Sequence, residues 1–169
     1  IILSLAVKLT SKGPIFHVSK RIGKDNRLFL MPKFRSMKID TPQVATHLLQ
    51  DPTSHLTPIG HFLRKSSLDE LPQLLSVIKG DMSFVGPRPA LFNQDDLVKL
   101  RTEKGVHTLT PGITGWAQIN GLRGETDTLD KMKRRVEYDL YYIEHWSVWL
   151  DLKIIFLTIF RGFHHKNAY

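Results

Sequence analysis

Cysteine is absent from the 169 residues of this chain. Its absence excludes a disulfide framework, a thiolate metal site and a cysteine nucleophile. Long apolar runs are also missing: none reaches the roughly 18 residues that cross a bilayer, so we expect any membrane attachment through these residues to be partial or interfacial. The sequence further lacks the signatures of P-loop nucleotide hydrolases, dinucleotide-binding enzymes, HExxH metalloproteases and GxSxG hydrolases, which removes the usual support for those chemistries.

Acidic residues are fewer than basic ones, 16 against 24, which leaves a formal net charge of +8. This excess predicts an anionic partner: nucleic acid, a phosphorylated substrate or an acidic membrane face. The positive charge is densest over residues 20–38, where Asp25 is the single acid. A solvated charged surface would explain the same patch, so charge alone does not rank these partners.

By its length and its 41% hydrophobic residues, the chain forms one domain with a modest core. It opens with isoleucine inside an apolar run, so we expect a piece of a longer protein. Residues 1–10 have the pattern of the end of an apolar helix, which the breaker at 13–14 terminates. Two short apolar runs, 15–18 and 28–31, flank a turn-forming segment and predict a β-hairpin.

The rest of the chain is predicted to be largely helical. Helical patterns occur at 59–64, 94–101 and 128–160, the last broken near 145–147. Two segments rich in glycine and proline, 80–90 and 110–124, are predicted to be ordered loops that carry exposed groups.

Residues 148–160 form an unusually apolar helical segment that begins beside Trp146 and Trp149. It is too short to span a bilayer. A core helix is the favoured interpretation, and the flanking tryptophans also fit a helix that lies in a membrane interface.

Residues 71–78 carry leucine and isoleucine at the spacing of one helical face, and Gly80 is placed to close the helix. Residues 67–70 match a capping box. Pro72 is tolerated only in a first turn, so we expect the helix to begin near Asp69. Either start places two adjacent carboxylates at the positive end of the helix dipole.

These carboxylates, Asp69 and Glu70, have two interpretations. Such groups ordinarily cap a helix and complement its dipole. Arg64, Lys65 and Lys79 are close in sequence, however, and a carboxylate kept ionised by cations can attack phosphorus while its neighbour holds Mg²⁺. Adjacent residues in a first turn point in different directions, which permits such a division of labour.

Arg88 stands between two prolines in the segment 86–89. The prolines restrict the backbone, and a guanidinium held in this way is a preorganised fork for phosphate oxygens. A structural turn closed by a salt bridge is the alternative.

Taken together, the motifs resemble the bacterial sugar transferases, the monotopic polyprenyl-phosphate phosphoglycosyl transferases that initiate polysaccharide assembly. They occur in the family's order and cover nearly the whole chain. The matching segments are 13–16, 33–37, 63–74, 79–89, 111–118 and 146–153.

The resemblance implies a two-step reaction. Asp69 would attack the β-phosphorus of a UDP-sugar and expel UMP, and polyprenyl phosphate would then take the sugar-phosphate from the aspartyl adduct. Glu70 corresponds to the Mg²⁺ ligand, which makes Mg²⁺ the expected cofactor. The expected phosphate-binding residues are Arg64 and Arg88, with Lys33 and Arg35 in the same anionic pocket.

The resemblance also implies an α+β fold that is mostly helical, with a small β-hairpin and amphipathic helices at the membrane interface. Residues 1–12 would be the returning half of a re-entrant membrane helix, and residues 13–169 the catalytic domain. The expected location is the cytoplasmic face of the bacterial inner membrane, at the first membrane step of exopolysaccharide, capsule or O-antigen assembly.

Two features limit what the resemblance implies. Ser19 and the Asp25-Asn26 turn depart from the family pattern, which affects the shape of the hairpin. Residues 120–169 resemble members that transfer glucose- or galactose-1-phosphate, whereas 17–93 resemble members that handle acetamido-deoxy sugars. We expect a plain hexose as the transferred sugar.

We expect no nucleic-acid partner. The alternatives to a transferase are a basic nucleic-acid-binding module and a non-catalytic membrane scaffold.

Overall fold

A computed structural model describes residues 1–41, 51, 53–123 and 128–162 of the chain. Helices and two small sheets alternate along the chain, which confirms the predicted α+β class. The helices are α1 (Ile2–Thr10), α2 (Gly60–Ser66), α3 (Leu74–Lys79), α4 (Asp95–Glu103), α5 (Trp116–Ile119), α6 (Leu129–Glu144) and α7 (Val148–Gly162), with 3₁₀ helices at Lys24–Asn26, Leu68–Gln73 and Val106–Thr108.

The predicted β-hairpin is confirmed and is longer than its apolar runs. Strands β1 (Phe16–Ile22) and β2 (Leu28–Phe34) pair antiparallel along their whole length. The turn places Asp25 and Asn26 at φ 54° and 58°, a left-handed conformation that these two residue types tolerate. Strand β4 (Ala90–Leu91) pairs with the other edge of β1.

The prediction of loops at 80–90 and 110–124 is wrong in part, because short strands lie inside both segments. Strand β3 (Ser83–Val85) pairs in parallel with β5 (Gly112–Thr114). A glycine is needed where the segments meet, since a Cβ at Gly112 would overlap the Gly86 amide. These strands depend on pairing across the chain rather than on local propensity.

The predicted capping box at 67–70 does not form. Ser67 adopts the left-handed conformation at φ 58°, and no side chain caps the 3₁₀ helix Leu68–Gln73 that follows it. The Ser67 hydroxyl instead accepts a hydrogen bond from Arg123 at 2.9 Å. The 3₁₀ helix continues into α3, which ends at Gly80 with φ 85° as predicted.

Separate clusters of buried side chains hold the fold together. Val7, Phe34 and Leu63 join α1 to β2 and α2, the elements around the carboxylate segment. A second cluster packs α6 and α7 onto β3 and α5 through Tyr142 and Ile154. The predicted break between these two helices is confirmed, since α6 ends at Glu144 and α7 begins at Val148.

Large apolar side chains remain exposed on three helices. The predicted apolar face of α3 points to solvent rather than into the core, with Ile78 82% exposed. On α7 one face is packed, while the other exposes Trp149, Leu152 and Phe156; Ile2 and Leu5 are exposed on α1. Among the described residues, the helices fall short of the length and hydropathy required for a membrane span.

Candidate active site

Cationic side chains from three separate parts of the chain surround Glu70. Its Oε1 accepts hydrogen bonds from Lys33 Nζ of β2 at 2.8 Å and from Arg88 Nη2 at 3.0 Å. Arg123, which follows α5, places Nη2 3.7 Å from Oε2. Burial would raise the pKa of Glu70, but the three cations outweigh burial and hold that pKa well below its usual range. Glu70 is therefore an ionised, tightly held carboxylate.

Asp69, its neighbour, lies in a different environment. The side chain is 9% exposed, and burial together with the charge of Glu70 raises its pKa. Lys33, Arg64 and Arg123 oppose this rise without cancelling it. The carboxylate accepts no hydrogen bond from the part of the chain that the structure describes. Asp69 is thus held near cations but has its oxygens available.

Arg64 lies in the last turn of α2, directly before the carboxylate segment. Its Nε donates to the Ser36 hydroxyl at 3.1 Å, which fixes the guanidinium. The carboxylate of Asp69 is close enough to interact with its charge. The structure therefore brings Lys33, Arg64 and Arg88 to the carboxylate pair, as the expected pocket requires.

Arg35 is not brought to this pair, which corrects the expectation of a pocket residue. Its guanidinium donates to the carbonyl and hydroxyl of Ser11 at 3.2 and 2.7 Å, and to the Pro14 carbonyl at 2.7 Å. These contacts hold the end of α1 against the hairpin. The strand β2 ends at Phe34, so the side chain of Arg35 no longer follows the alternation that Lys33 obeys.

The sequence reasoning missed Arg123 and Arg21. Arg123 contacts Glu70 and Ser67, which lie more than 50 residues before it in the sequence. The glycine-rich segment that contains Arg123 was recognised, but this contact was not. Burial, followed by the charge of Arg88, lowers the pKa of Arg21 to about 10, and Glu70 opposes this change. Arg21 therefore lies beside the same cluster, and its membership in the basic patch at 20–38 was the available signal.

The donor set near Glu70 is too small to hold a divalent cation by itself. Within the described ranges no three His, Asp or Glu side chains come together as a metal site. Oε1 is occupied by Lys33 and Arg88, whereas Oε2 has Arg123 beyond hydrogen-bond distance. Mg²⁺ commonly takes one or two carboxylates and completes its shell with phosphate oxygens and water, so Glu70 fits that limited role.

Comparison with known proteins identifies the family. The sequence profile described as bacterial sugar transferase matches residues 1–165. The chain belongs to the bacterial sugar transferase family. The resemblance drawn from its motifs is confirmed.

Relatives of this family member include proteins described as "UDP-glucose:undecaprenyl-phosphate glucose-1-phosphate transferase". The protein of Escherichia coli K12 is 52% identical over 99% of this chain, and that of Klebsiella pneumoniae is 48% identical over 100%. The protein of Xanthomonas campestris pv. campestris is 46% identical over 99%. The chain covers 36%, 37% and 35% of these relatives, about a third of their length.

Proposed function

We propose that this chain is the catalytic region of an enzyme that transfers a sugar-1-phosphate from a UDP-sugar to polyprenyl phosphate. The observation that carries the proposal is the contrast between two adjacent carboxylates, one buried and one largely buried. Glu70 is clamped by Lys33 and Arg88, whereas Asp69 keeps its oxygens free beside cations. Such a contrast suits a nucleophile next to a group that organises charge.

In the first step, an oxygen of Asp69 forms a bond to the β-phosphorus, and the bond from that phosphorus to the bridging oxygen breaks. UMP leaves with the electron pair of that bond. In the second step, a phosphate oxygen of the polyprenyl phosphate attacks the same phosphorus. The bond between that phosphorus and Asp69 breaks. This step regenerates the free carboxylate and forms the lipid-linked product.

Cations around the pair serve this reaction by stabilising charge on the phosphate oxygens. Arg64 and Arg123 are the candidates for direct phosphate contact, since neither is hydrogen-bonded to a carboxylate. Lys33 and Arg88 each donate one hydrogen bond to Glu70 and have further N–H groups, so Arg88 is also proposed to contact the substrate phosphate. When Mg²⁺ is bound, Glu70 would hold it, and the ion would neutralise phosphate charge.

We also propose that the chain works at the cytoplasmic face of the inner membrane, where its lipid substrate is. The exposed apolar faces of α1, α3 and α7 support this, because soluble monomers rarely expose large apolar patches. Residues 1–12 are proposed to be the returning half of a re-entrant helix. A membrane-interfacial α3 would place the carboxylate segment, which leads into it, near the lipid head group.

The donor sugar is proposed to be a plain hexose, with UDP-glucose as the first candidate. The relatives named above are described as acting on UDP-glucose. Their names support the choice, and the resemblance of residues 120–169 to hexose-transferring members agrees with it.

A UMP-release assay tests the proposal. The full chain is incubated with Mg²⁺, polyprenyl phosphate and each of UDP-glucose, UDP-galactose and the acetamido-sugar analogues. We expect release with UDP-glucose, loss of release in Asp69→Asn, and wild-type release in Asp96→Asn, a matched change at an exposed position of α4. Absence of release with every donor, or full activity of Asp69→Asn, would contradict the proposal.

A further inference from the structure

Another group of charged side chains lies behind the candidate site. Arg101 of α4 donates from Nη1 to the backbone carbonyl of Arg88 at 2.7 Å, and from Nη2 to Asp139 Oδ2 of α6 at 2.7 Å. Arg101 is 7% exposed and Asp139 is 2% exposed. A continuous path of hydrogen bonds therefore runs from α6 through Arg101 to the residue whose guanidinium holds Glu70.

One helical turn before Asp139, the same face of α6 contacts the loop that carries Arg123. Arg135 donates to the backbone carbonyl of Leu122 at 2.8 Å, and Leu122 directly precedes Arg123. Arg135 and Asp139 are four residues apart, so they lie on one face of the helix. This face of α6 thus contacts both loops that supply arginines to the carboxylate pair.

Stability alone explains the buried Arg101–Asp139 pair poorly. Removing two charges from water is costly, and well-packed apolar replacements are often equally stable or more so. An apolar side chain, however, cannot donate to the Arg88 carbonyl. Pro87 and Pro89 restrict the backbone on either side, and the Gly112 amide donates to the Pro87 carbonyl at 3.0 Å. The Arg101 fork completes the fixation of this loop.

We propose that Arg101 and Asp139 are positioning residues that fix the backbone of Arg88, so that its guanidinium meets Glu70 and the substrate phosphate. The inference rests on the proposed function. Arg101 touches the site only at a backbone carbonyl, so its effect on the reaction passes through Arg88. A displacement of about 1 Å in a positioning group can cost on the order of 100-fold in rate.

A double-mutant cycle in the UMP-release assay tests this route. We expect Arg101→Gln to lower kcat by about 10- to 100-fold. The same change should cost little more in an Arg88→Ala background, because the side chain that it positions is gone. Effects that multiply in the double variant would overturn the proposal. Arg134→Gln, an exposed arginine on α6, is the matched control and should leave kcat unchanged.

Each variant is checked by thermal unfolding. If Arg101→Gln fails to fold, Arg101→Lys takes its place in the cycle. Lysine keeps the charge beside Asp139 but lacks the planar fork that reaches two acceptors at once. We expect Arg101→Lys to fold and still to lose kcat, again only when Arg88 is present. Wild-type kcat in Arg101→Lys would overturn the role of the fork.

Hydrogen exchange gives a readout that does not depend on turnover. Arg101→Gln should accelerate exchange in peptides that cover residues 83–92, whereas peptides from α7 should exchange as in the wild type. Absence of UMP release in the wild type would contradict the proposed function and leave this measurement valid. Unchanged exchange over 83–92, with a wild type that turns over, would overturn the positioning role alone.

Discussion

Asp69→Asn and Glu70→Gln remove adjacent negative charges, yet we expect them to change the stability of the fold differently. Burial raises the pKa of Asp69, so its ionised form is a cost to the folded protein at neutral pH. Three cations lower the pKa of Glu70, so its ionised form stabilises the fold. The stability of the two variants therefore distinguishes a residue that serves only the reaction, Asp69, from one that also stabilises the fold, Glu70.

The magnitude for Glu70 follows from its burial and its partners. The side chains of Glu70, Lys33 and Arg88 are 11%, 17% and 18% exposed, so removing the carboxylate leaves two largely buried cations unpaired. Breaking a buried ion pair costs about 3–5 kcal/mol. Glutamine keeps one acceptor oxygen, which reduces the expected loss to about 2–4 kcal/mol.

Thermal unfolding followed by circular dichroism measures both effects. For a chain of this size the loss in Glu70→Gln corresponds to a Tm lower by roughly 5–15 °C. Asp69→Asn should unfold at or above the wild-type Tm. Glu137→Gln, an exposed carboxylate on α6, is the matched control and should unfold like the wild type. Equal losses in Asp69→Asn and Glu70→Gln would refute the reasoning.

Three further predictions follow from the same structure. Glu70 has a folded-state pKa below its ordinary value of about 4.3, so its stabilisation is complete above that pH and is lost as the pH falls through the lowered pKa. The Tm difference between wild type and Glu70→Gln should therefore be constant from pH 7 to 5 and shrink on acidification below about pH 4; a difference that grows would contradict the assignment. Gly112→Ala should cost about 1–3 kcal/mol in urea unfolding and lower UMP release, because its Cβ would force β5 from the Gly86 amide; wild-type stability would be inconsistent with that contact. Arg35→Ala should lower the Tm by releasing the end of α1 and leave kcat near the wild-type value, whereas Lys33→Ala should lower kcat; a loss of kcat in Arg35→Ala at unchanged Tm would restore Arg35 to the phosphate pocket.

Periodic patterns predicted the elements whose structure is local. The hairpin, the helices at 59–64 and 94–101, and the break between α6 and α7 all follow from residue spacing and turn chemistry. The short parallel strands β3 and β5 could not be predicted in this way, because each contains three residues and exists only through the other.

The sequence indicated both carboxylates of the candidate site but only some of the cations around them. Local sequence singled out Asp69, Glu70 and Arg88 without deciding between structural and functional roles, and the family resemblance assigned the functional ones. Lys33 and Arg35 are two residues apart in one basic run, but the end of β2 sends only Lys33 to Glu70. Arg123 comes from a distant segment, so only the folded chain reveals its partner.

Only the structure shows that the apolar face of α3 points to solvent. Leucine and isoleucine at helical spacing predict a face without saying what it contacts. Here Pro72, Gln73 and Ser76 are buried, while Leu75 and Ile78 are exposed. The helix is therefore held by buried Ser76 and by Val77, which packs against the cluster of Phe29, Met31 and Met82, rather than by its leucine and isoleucine face.

The central claim, a covalent adduct on Asp69, is tested most directly by intact-protein mass spectrometry. The chain is incubated with UDP-glucose and Mg²⁺ in the absence of polyprenyl phosphate. We predict a mass increase equal to one hexose-phosphate in the wild type, its loss on addition of polyprenyl phosphate, and no increase in Asp69→Asn. The same increase in Asp69→Asn, or no increase in a wild type that releases UMP stoichiometrically with the enzyme, would contradict the account.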